Sequence, residues 1–401
     1  MLAIPAILDN REYRSIAAHT VTRIGGEPLA ELTLVPLVKT HEVVKSAPEK
    51  LMALQRTPAH RIMKALGEAA ARLRSDDWSF ASLSKQEYAR AVSDSTGLPL
   101  ASMPREIDEL ASILDRLGEI TRVQLPRSEE HPLDTHRYSI SGHEVGLFPA
   151  GESLLVKVPG NMPTIALYWL IPLALKRPVI LVPPWEDPFT HLILVEAIRA
   201  VAPWLSSCVQ LLPCEEHVFH RQLEHVDQII VSQAHSSVIQ GSPARGARAQ
   251  FIHYGRSKLL VAGDFTDETV DIAIRRMLWK HGRTCTGLTS IIAARRGKEL
   301  SERMAARLAL DFADGLAANL DRLPLFHTER ATQIDAAIEE LIRRGDAEDM
   351  TRRITGRPRL AIDGGRAMLM PTVLWVKRRQ SRAFGLELPF PFVTVAEAPD
   401  E

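Results

Sequence analysis

Sulfur is scarce in this chain. Its 401 residues include three cysteines, Cys208, Cys214 and Cys285. That is too few for a disulfide framework, so the sequence reads as a cytoplasmic protein of a reducing compartment. Neither sign of charge is in excess. Lys+Arg and Asp+Glu number 49 each, which leaves no net positive field to draw in nucleic acid. Long hydrophobic runs are also missing. The greasiest stretch, 164–175, contains Pro172 and runs into Lys176 and Arg177, so it is too short to span a membrane and reads as a buried helix. The opening MLAIPAILDNREYRS is interrupted by charge too soon for a signal peptide. No internal repeat or low-complexity tract is seen. Cys208 and Cys214 flank an apolar strand without further ligands at zinc spacing, so no metal site is expected.

What is present is a globular composition, 45% hydrophobic and 24% charged, on a chain long enough for two or three domains. Residues 1–137 read as a mainly helical N-terminal region, with helical spacing at 59–73 and 106–117. A polar, proline-containing stretch, 124–137, reads as a connection. From Tyr138 onward the character changes. Short apolar runs at 179–182 (VILV), 209–212 (VQLL), 228–231 (QIIV) and 258–261 (KLLV) read as buried strands, with helices at 164–175 and 188–201 between them. Such alternation predicts an α/β fold with a doubly wound, Rossmann-type parallel sheet, which binds ligands at the carboxyl ends of its strands. A second α/β block follows. Residues 266–280 carry one apolar helical face, with Asp267 and Glu268 in the first turn and Gly282 just beyond the end, as helix termini favour. A strand at 288–294 and a long helix from Lys298 come next. Cys285 therefore falls on a helix-to-strand loop, where chemistry tends to reside.

Five motifs in one order suggest a family. GRTCTG (282–287), PGNMP (159–163), YGRSK (254–258), GG with MPTVLWV (364–365 and 370–376) and ELPFP (387–391) resemble, respectively, the nucleophile loop, the proline-x-asparagine-x-proline turn, the opening of the catalytic domain, the glycine pair with its strand, and the glutamate-x-phenylalanine-glycine-proline segment of the aldehyde dehydrogenase superfamily. The resemblance covers roughly 140–393. Within it, the chain is most similar to the acyl-CoA or acyl-protein thioester reductases, the fatty-acid reductase family of luminous bacteria.

The resemblance implies an aldehyde-dehydrogenase-like fold: a nicotinamide-cofactor domain at 138–252, a catalytic cysteine domain at 253–387 and a return segment to the cofactor domain at 388–401. It implies that Cys285 is the nucleophile and that Asn161 supplies an oxyanion donor together with the Cys285 N–H. The bland reading of Cys285 is a buried structural thiol, against which stand its Thr and Gly flanks; read alone, Asn161 is a turn residue between prolines. Glu387 matches the glutamate that holds the nicotinamide ribose. Pro183, Trp185 and Gly255 fall at further cofactor positions. Trp185 would either pack on the adenosine or fill a loop.

The departures are informative. The glutamate that activates water in the family falls at Ile252 here, so that base is absent and reduction is favoured over oxidation to an acid. His253 is the neighbouring candidate for protonating a leaving thiolate or alkoxide, or else a structural histidine. Val182 and Trp185 replace the lysine and glutamate of the ribose site, which favours NADPH while leaving NADH open. No glycine follows the 228–231 strand. Arg245 and Arg248 are either a phosphate contact or a solvated loop. The chain ends soon after the family's fifth motif, which leaves the subunit-pairing arm in question.

Taken together, the expected activity is NADPH-dependent reduction of an acyl thioester to an aldehyde. The acyl carrier would be coenzyme A or phosphopantetheine, with an activating ligase or carrier protein as partner and a homo-oligomer as the assembly. The alternatives are an oxidising, NAD(P)-dependent aldehyde dehydrogenase and a catalytically silent homologue that binds a partner.

Overall fold

The computed structural model describes residues 1–126, 131–232, 249–252, 255, 257–312, 316–377 and 381–398. The chain divides into two compact units. The first takes Met1–Thr22, Pro28–Ser95 and Met103–Ile252, and the second takes 23–27, 96–102 and the residues from 253 onward.

In the first unit, runs with apolar side chains on both faces become the interior of a seven-stranded sheet. Its strands are β1 (Ala6–Leu8), β2 (Arg11–Tyr13), β3 (Leu154–Lys157), β4 (Val179–Val182), β5 (Val209–Leu211), β6 (Gln228–Ser232) and β7 (Ala249–Ile252). They lie in the order β7-β6-β3-β4-β5-β1-β2. The first five of that order are parallel, and the two N-terminal strands close the edge antiparallel. From β3 the chain builds outward through β4 to β5, then crosses to β6 on the other side of β3. That reversal is the topological switch point of a doubly wound sheet.

Helices α1 (Ala59–Arg74), α2 (Lys85–Thr96) and α3 (Met103–Arg122) precede this sheet in sequence. Their apolar stripes, such as Ile62, Leu66, Ala69 and Leu73 of α1, are fully buried. The helical N-terminal region thus begins at Leu37, and five short strands occupy the first 33 residues ahead of it. Two of these join at Asp9 and Asn10, both at positive φ (51° and 64°), a two-residue primed turn of the kind that joins tight hairpins. Helices α4 (Leu167–Ala174), α5 (Pro188–Val201) and α6 (Glu216–Gln222) follow. Pro172 sits inside α4. Under α6, Leu155, Ile180, Val182, Ile229 and Val231 pack with Phe219.

The second unit is built on a five-stranded sheet. Helix α7 (Asp267–Leu278) is closed at its start by a Thr266–Thr269 capping box. The strands are β8 (Ser257–Val261), β9 (Leu288–Ala293), β11 (Ala347–Asp349), β14 (Thr372–Val376) and β15 (Phe392–Glu397). A smaller antiparallel sheet holds β10 (Leu325–His327), β12 (Leu360–Asp363) and β13 (Arg366–Leu369). The large sheet runs β8-β9-β15-β14-β11, and its first four strands are parallel. Helices α8 (Gly297–Asp311), α9 (Thr328–Arg343) and α10 (Met350–Thr355) complete the unit. Leu300, Met304 and Leu308 of α8 pack on Ile291, Val373 and Val393.

Two expectations change here. The 258–261 strand was grouped with the cofactor sheet, but β8 pairs with β9 in the second unit. Its alternating exposure marks an edge strand with one solvated face. Residues 388–401 were expected to return to the cofactor domain. Instead, Phe392–Glu397 lies between β9 and β14, because a segment buried at five of six positions needs a strand on either side.

Candidate active site

The register of the second sheet decides what meets what. Ser257 of β8 pairs with Leu288 of β9, Ser290 of β9 with Thr394 of β15, and Thr372 of β14 with Phe392 of β15. Parallel strands in this register start along one edge. Gly255 precedes β8 by two residues, Cys285 precedes β9 by three and Glu387 precedes β15 by five. Three residues separated by up to 132 positions in sequence therefore stand at the beginnings of three adjacent strands.

Contacts at that edge are close. The Gly255 N–H donates to Glu387 Oε2. A β-carbon on Gly255 would fall inside the main-chain carbonyl of Cys285. Ser257 Oγ donates to the same carbonyl at 3.2 Å. Gly282 has φ of +70°, and a β-carbon there would collide with the Phe390–Pro391 peptide, so both glycine features are required by approach and conformation.

The loop itself is built from short polar residues. The Gly287 N–H donates to the Thr284 carbonyl at 3.0 Å, a β-turn that sets Cys285 at its first corner. The hydroxyls of Thr284 and Thr286 meet at 3.0 Å, and the Thr286 N–H donates to Thr284 Oγ1 at 3.3 Å. Cys285 is partly exposed, whereas Cys208 and Cys214 are buried. Burial pushes the Cys214 thiol up to about 12, so it is inert as a nucleophile. Before the loop, Lys280 (φ 51°) and His281 (φ 57°) hold left-handed backbone, each costing on the order of 1 kcal/mol. His281 Nδ1–H donates to the Arg322 carbonyl at 3.0 Å, one of the bonds that fix this conformation.

In the first unit, the 159–163 turn leaves the carboxyl end of β3, beside the switch point. The position of a β-carbon on Gly160 lies 2.9 Å from Glu186 Oε2 and 3.0 Å from Pro184 Cβ, so the turn carrying Asn161 packs on the loop that leaves β4. Pro183 in that loop is buried and Trp185 is half-buried. The Trp185 ring lies against His19, with centroids 4.2 Å apart. Lys157, the last residue of β3, pairs with Glu216 and lies over the Phe219 ring at 4.4 Å. Ile252 ends β7 with 9% of its surface exposed.

A dinucleotide fits this architecture. The parallel order reverses beside β3, the Gly160 turn comes close to the β4 loop, and the Trp185 ring keeps an exposed part. Among the described residues, no group of three or more His, Cys, Asp or Glu is arranged for a metal ion, and no helix is long and apolar enough to cross a membrane.

Of the sequence-read site residues, Cys285, Gly255 and Glu387 come together in the second unit, and in the first the turn carrying Asn161 approaches Pro184 and Glu186 at Gly160. His253, Arg245 and Arg248 lie outside the described residues. Pattern reading gave no role to Ser257 or Arg283, and read Gly282 as a helix terminus and motif glycine without its contact to Phe390–Pro391. Arg283 was legible in principle, as a cation inside the GRTCTG motif, two residues before Cys285. A cavity of about 210 Å³ lies elsewhere in the second unit, lined by Leu308, Phe312, Arg359, Leu360 and Met370. Met370 belongs to the 370–376 motif, but none of the sequence-read catalytic or cofactor residues lines the cavity.

A doubly wound parallel sheet in the first unit and, in the second, a five-stranded sheet with a partly exposed cysteine on a polar loop define a two-unit α/β protein of the dinucleotide-binding type. The chain belongs to the aldehyde dehydrogenase family, whose sequence profile matches residues 12–401. Membership makes it an oxidoreductase acting on aldehydes, with NAD(P) as the family's cofactor. Solved structures of similar fold include a putative aldehyde dehydrogenase from Burkholderia cenocepacia, at a TM-score of 0.79 and 17% identity, covering 100% of this chain and 81% of that one. Aldehyde dehydrogenase 21 from Physcomitrella patens, solved with the product succinate, gives 0.77 and 14%, with 100% and 81% covered. The indole-3-acetaldehyde dehydrogenase of P. syringae, solved with NAD+, gives 0.79 and 17%, with 100% and 80% covered. At these identities the likeness is one of fold. No curated protein matches the chain.

Proposed function

We propose that this chain reduces acyl thioesters to aldehydes with NADPH, through an acyl group carried on Cys285. The observation that carries the reading is Ile252, a buried aliphatic side chain where the family places the carboxylate that activates water. A covalent thioester survives longer where no base prepares water to attack it.

In this reading the Cys285 thiolate attacks the acyl carbon of a coenzyme A or phosphopantetheine thioester. The carrier's C–S bond breaks, and the carrier leaves as a thiolate that takes up a proton. Asn161 and the Cys285 N–H donate to the oxyanion formed in that attack; one such donor is worth on the order of 3 kcal/mol of barrier. The cofactor, when bound, supplies a hydride to the acyl carbon. The resulting thiohemiacetal then breaks its C–S bond, returning the Cys285 thiolate and an aldehyde. Glu387 orients the ribose end, and its bond to the Gly255 N–H supports that placement. His253 is the proposed proton donor. An acyl-activating ligase or carrier protein would supply the substrate, and the active form would be a homo-oligomer.

A second reading is NAD(P)+-dependent oxidation of an aldehyde to an acid. It is supported by membership of the aldehyde dehydrogenase family, to which the structural neighbours' names also point. Decanoyl-CoA separates the two. Under the first reading, mass spectrometry finds a decanoyl adduct on Cys285 that NADPH discharges as decanal. Acid formation from decanal with NAD+ or NADP+ and no coenzyme A, without any thioester adduct, would establish the second. No adduct and no turnover in either direction would mark a silent homologue.

A further inference from the structure

The second unit shows how the nucleophile loop is held, and one side chain stands out. Arg283 lies two residues before Cys285. Its Nη1 donates to the main-chain carbonyl of Thr96, and its guanidinium lies over the Phe326 ring, 5.8 Å from the centroid. Thr96 is the last residue of α2, so its carbonyl is one of the acceptors that a helix end leaves without an intrahelical donor.

The 96–102 segment is itself fixed from the other side. Gly97 takes φ of +75°, and a β-carbon there would collide with the Leu325 carbonyl. The Leu325 N–H donates to the Gly97 carbonyl at 2.8 Å. Leu325 and Phe326 belong to one strand, β10, so the acceptor and the aromatic face that receive Arg283 form a single preassembled cradle. A guanidinium suits such a cradle because it donates in its plane while stacking its face.

We propose that Arg283 is a positioning residue that clamps the nucleophile loop to the 96–97 and 325–326 cradle and thereby sets the attack geometry of the Cys285 thiol. Gly282 fixes one side of the loop against Phe390–Pro391 and the 284–287 turn closes the other. Arg283 is the side chain between them. Losing the clamp lets the thiol sample orientations outside the narrow range in which attack is fast.

The proposal rests on Cys285 being the reactive thiol, and its test keeps the two ideas apart. Arg283→Met fills similar volume without a donor, Arg283→Lys restores a donor, and Arg283→Gln is too short to reach. Single-turnover acylation by decanoyl-CoA should fall at least tenfold in Arg283→Met and Arg283→Gln, with KM for decanoyl-CoA changed less than threefold. Arg283→Lys should recover to within about threefold of wild type. Alkylation of Cys285 by iodoacetamide, followed by peptide mass spectrometry with buried Cys208 and Cys214 as internal references, reads the loop without any acyl donor. Its rate constant should change at least threefold in Arg283→Met and revert in Arg283→Lys. Wild-type rates in Arg283→Met, or equal impairment in Lys and Gln, would overturn the clamp. Wild-type protein that alkylates at Cys285 but takes up no decanoyl group would overturn the thioester reading alone. Should Arg283→Met fail to fold, the Lys and Gln pair decides.

Discussion

The main-chain carbonyl of Cys285 occupies the space that a β-carbon on Gly255 would need. The two segments are packed backbone to backbone, so even one methyl group must push the nucleophile loop off its seat. Gly255→Ala is therefore expected to cost about 1–3 kcal/mol through overpacking and to lower Cys285 acylation at least a hundredfold. Gly263→Ala, with open space around it, should leave the rate unchanged. Stopped-flow acylation of both variants is the check, and a Gly255→Ala enzyme of normal rate would show that the close approach is irrelevant to the chemistry.

Glu387 accepts the Gly255 N–H, which ties to the same backbone the carboxylate that the proposed reading assigns to the cofactor. Glutamine keeps an acceptor oxygen but removes the charge. Glu387→Gln should raise the apparent KM for NADPH about tenfold while iodoacetamide still alkylates Cys285 at the wild-type rate. Slower alkylation in this variant would instead assign Glu387 to the nucleophile loop.

How much of this was visible in the sequence depends on the kind of signal. Val179–Val182 forms at the limits its apolar run suggests, because a strand buried on both faces has an uninterrupted hydrophobic stretch, and Pro188–Val201 forms at its expected limits, opened by Pro188 at the first helical position. The N-terminal strands hid in three-residue pieces such as Arg11–Tyr13, whose exposed, charged residues carry no periodicity, although Asp9–Asn10 is a readable turn. Cys285 and Glu387 were found by motif order. Their meeting with Gly255 was not, since it follows from strand register in the second sheet, and register is a long-range property. Arg283 illustrates the same limit: its type was visible but its acceptor, 187 residues away, was not.

Arg359 is a buried cation held by three carboxylates in the second unit. It is 4% exposed and reaches Asp335 and Asp349 at 2.6 Å and Glu339 at 3.2 Å. Its Nε also donates to Thr372 Oγ1 at 3.2 Å. Removing the cation would strand a buried carboxylate, because Asp349 is only 5% exposed. Arg359→Met should cost about 3–5 kcal/mol, read as a lower urea midpoint at constant m-value. Arg359→Lys should recover only part of it, since a single ammonium cannot reproduce the planar fork.

Two buried groups in the first unit give opposite pH dependences. Trp169 Nε1–H donates to His191 Nδ1 at 3.1 Å, and burial lowers the His191 pKa to about 3. An unfolded histidine takes up a proton below 6.5 while this one does not, so stability is lost as pH falls from 6.5 toward 3. Asp187 caps α5 through Thr190, and burial raises its pKa to about 6. It protonates before its unfolded counterpart at 3.8, so stability is gained as pH falls from 6 toward 3.8. Between pH 7 and pH 5 the histidine costs about 2 kcal/mol and the aspartate returns about 1 kcal/mol. Asp187→Asn keeps a good cap and should steepen the loss to about 2 kcal/mol. His191→Gln should turn it into a small gain. Urea unfolding at the two pH values tests both, and parallel slopes in wild type and Asp187→Asn would contradict the assignment.

In the proposed reading, the choice between reduction and oxidation turns on Ile252. A glutamate at this 9% exposed position would be partly desolvated, and burial raises a carboxyl's pKa toward the range where it serves as a base near neutral pH. In Ile252→Glu, decanoyl-CoA should be hydrolysed to decanoate at least tenfold faster than by wild type, and the aldehyde yield per NADPH consumed should fall. Ile252→Gln, of similar size but unable to accept a proton at neutral pH, should leave the product ratio near wild type. Burying a polar side chain costs both variants about 1–3 kcal/mol of stability, so the comparison between them isolates the base from the packing defect. Equal hydrolysis by the two variants, or acid as the main product of the wild-type enzyme, would remove the reason for preferring reduction.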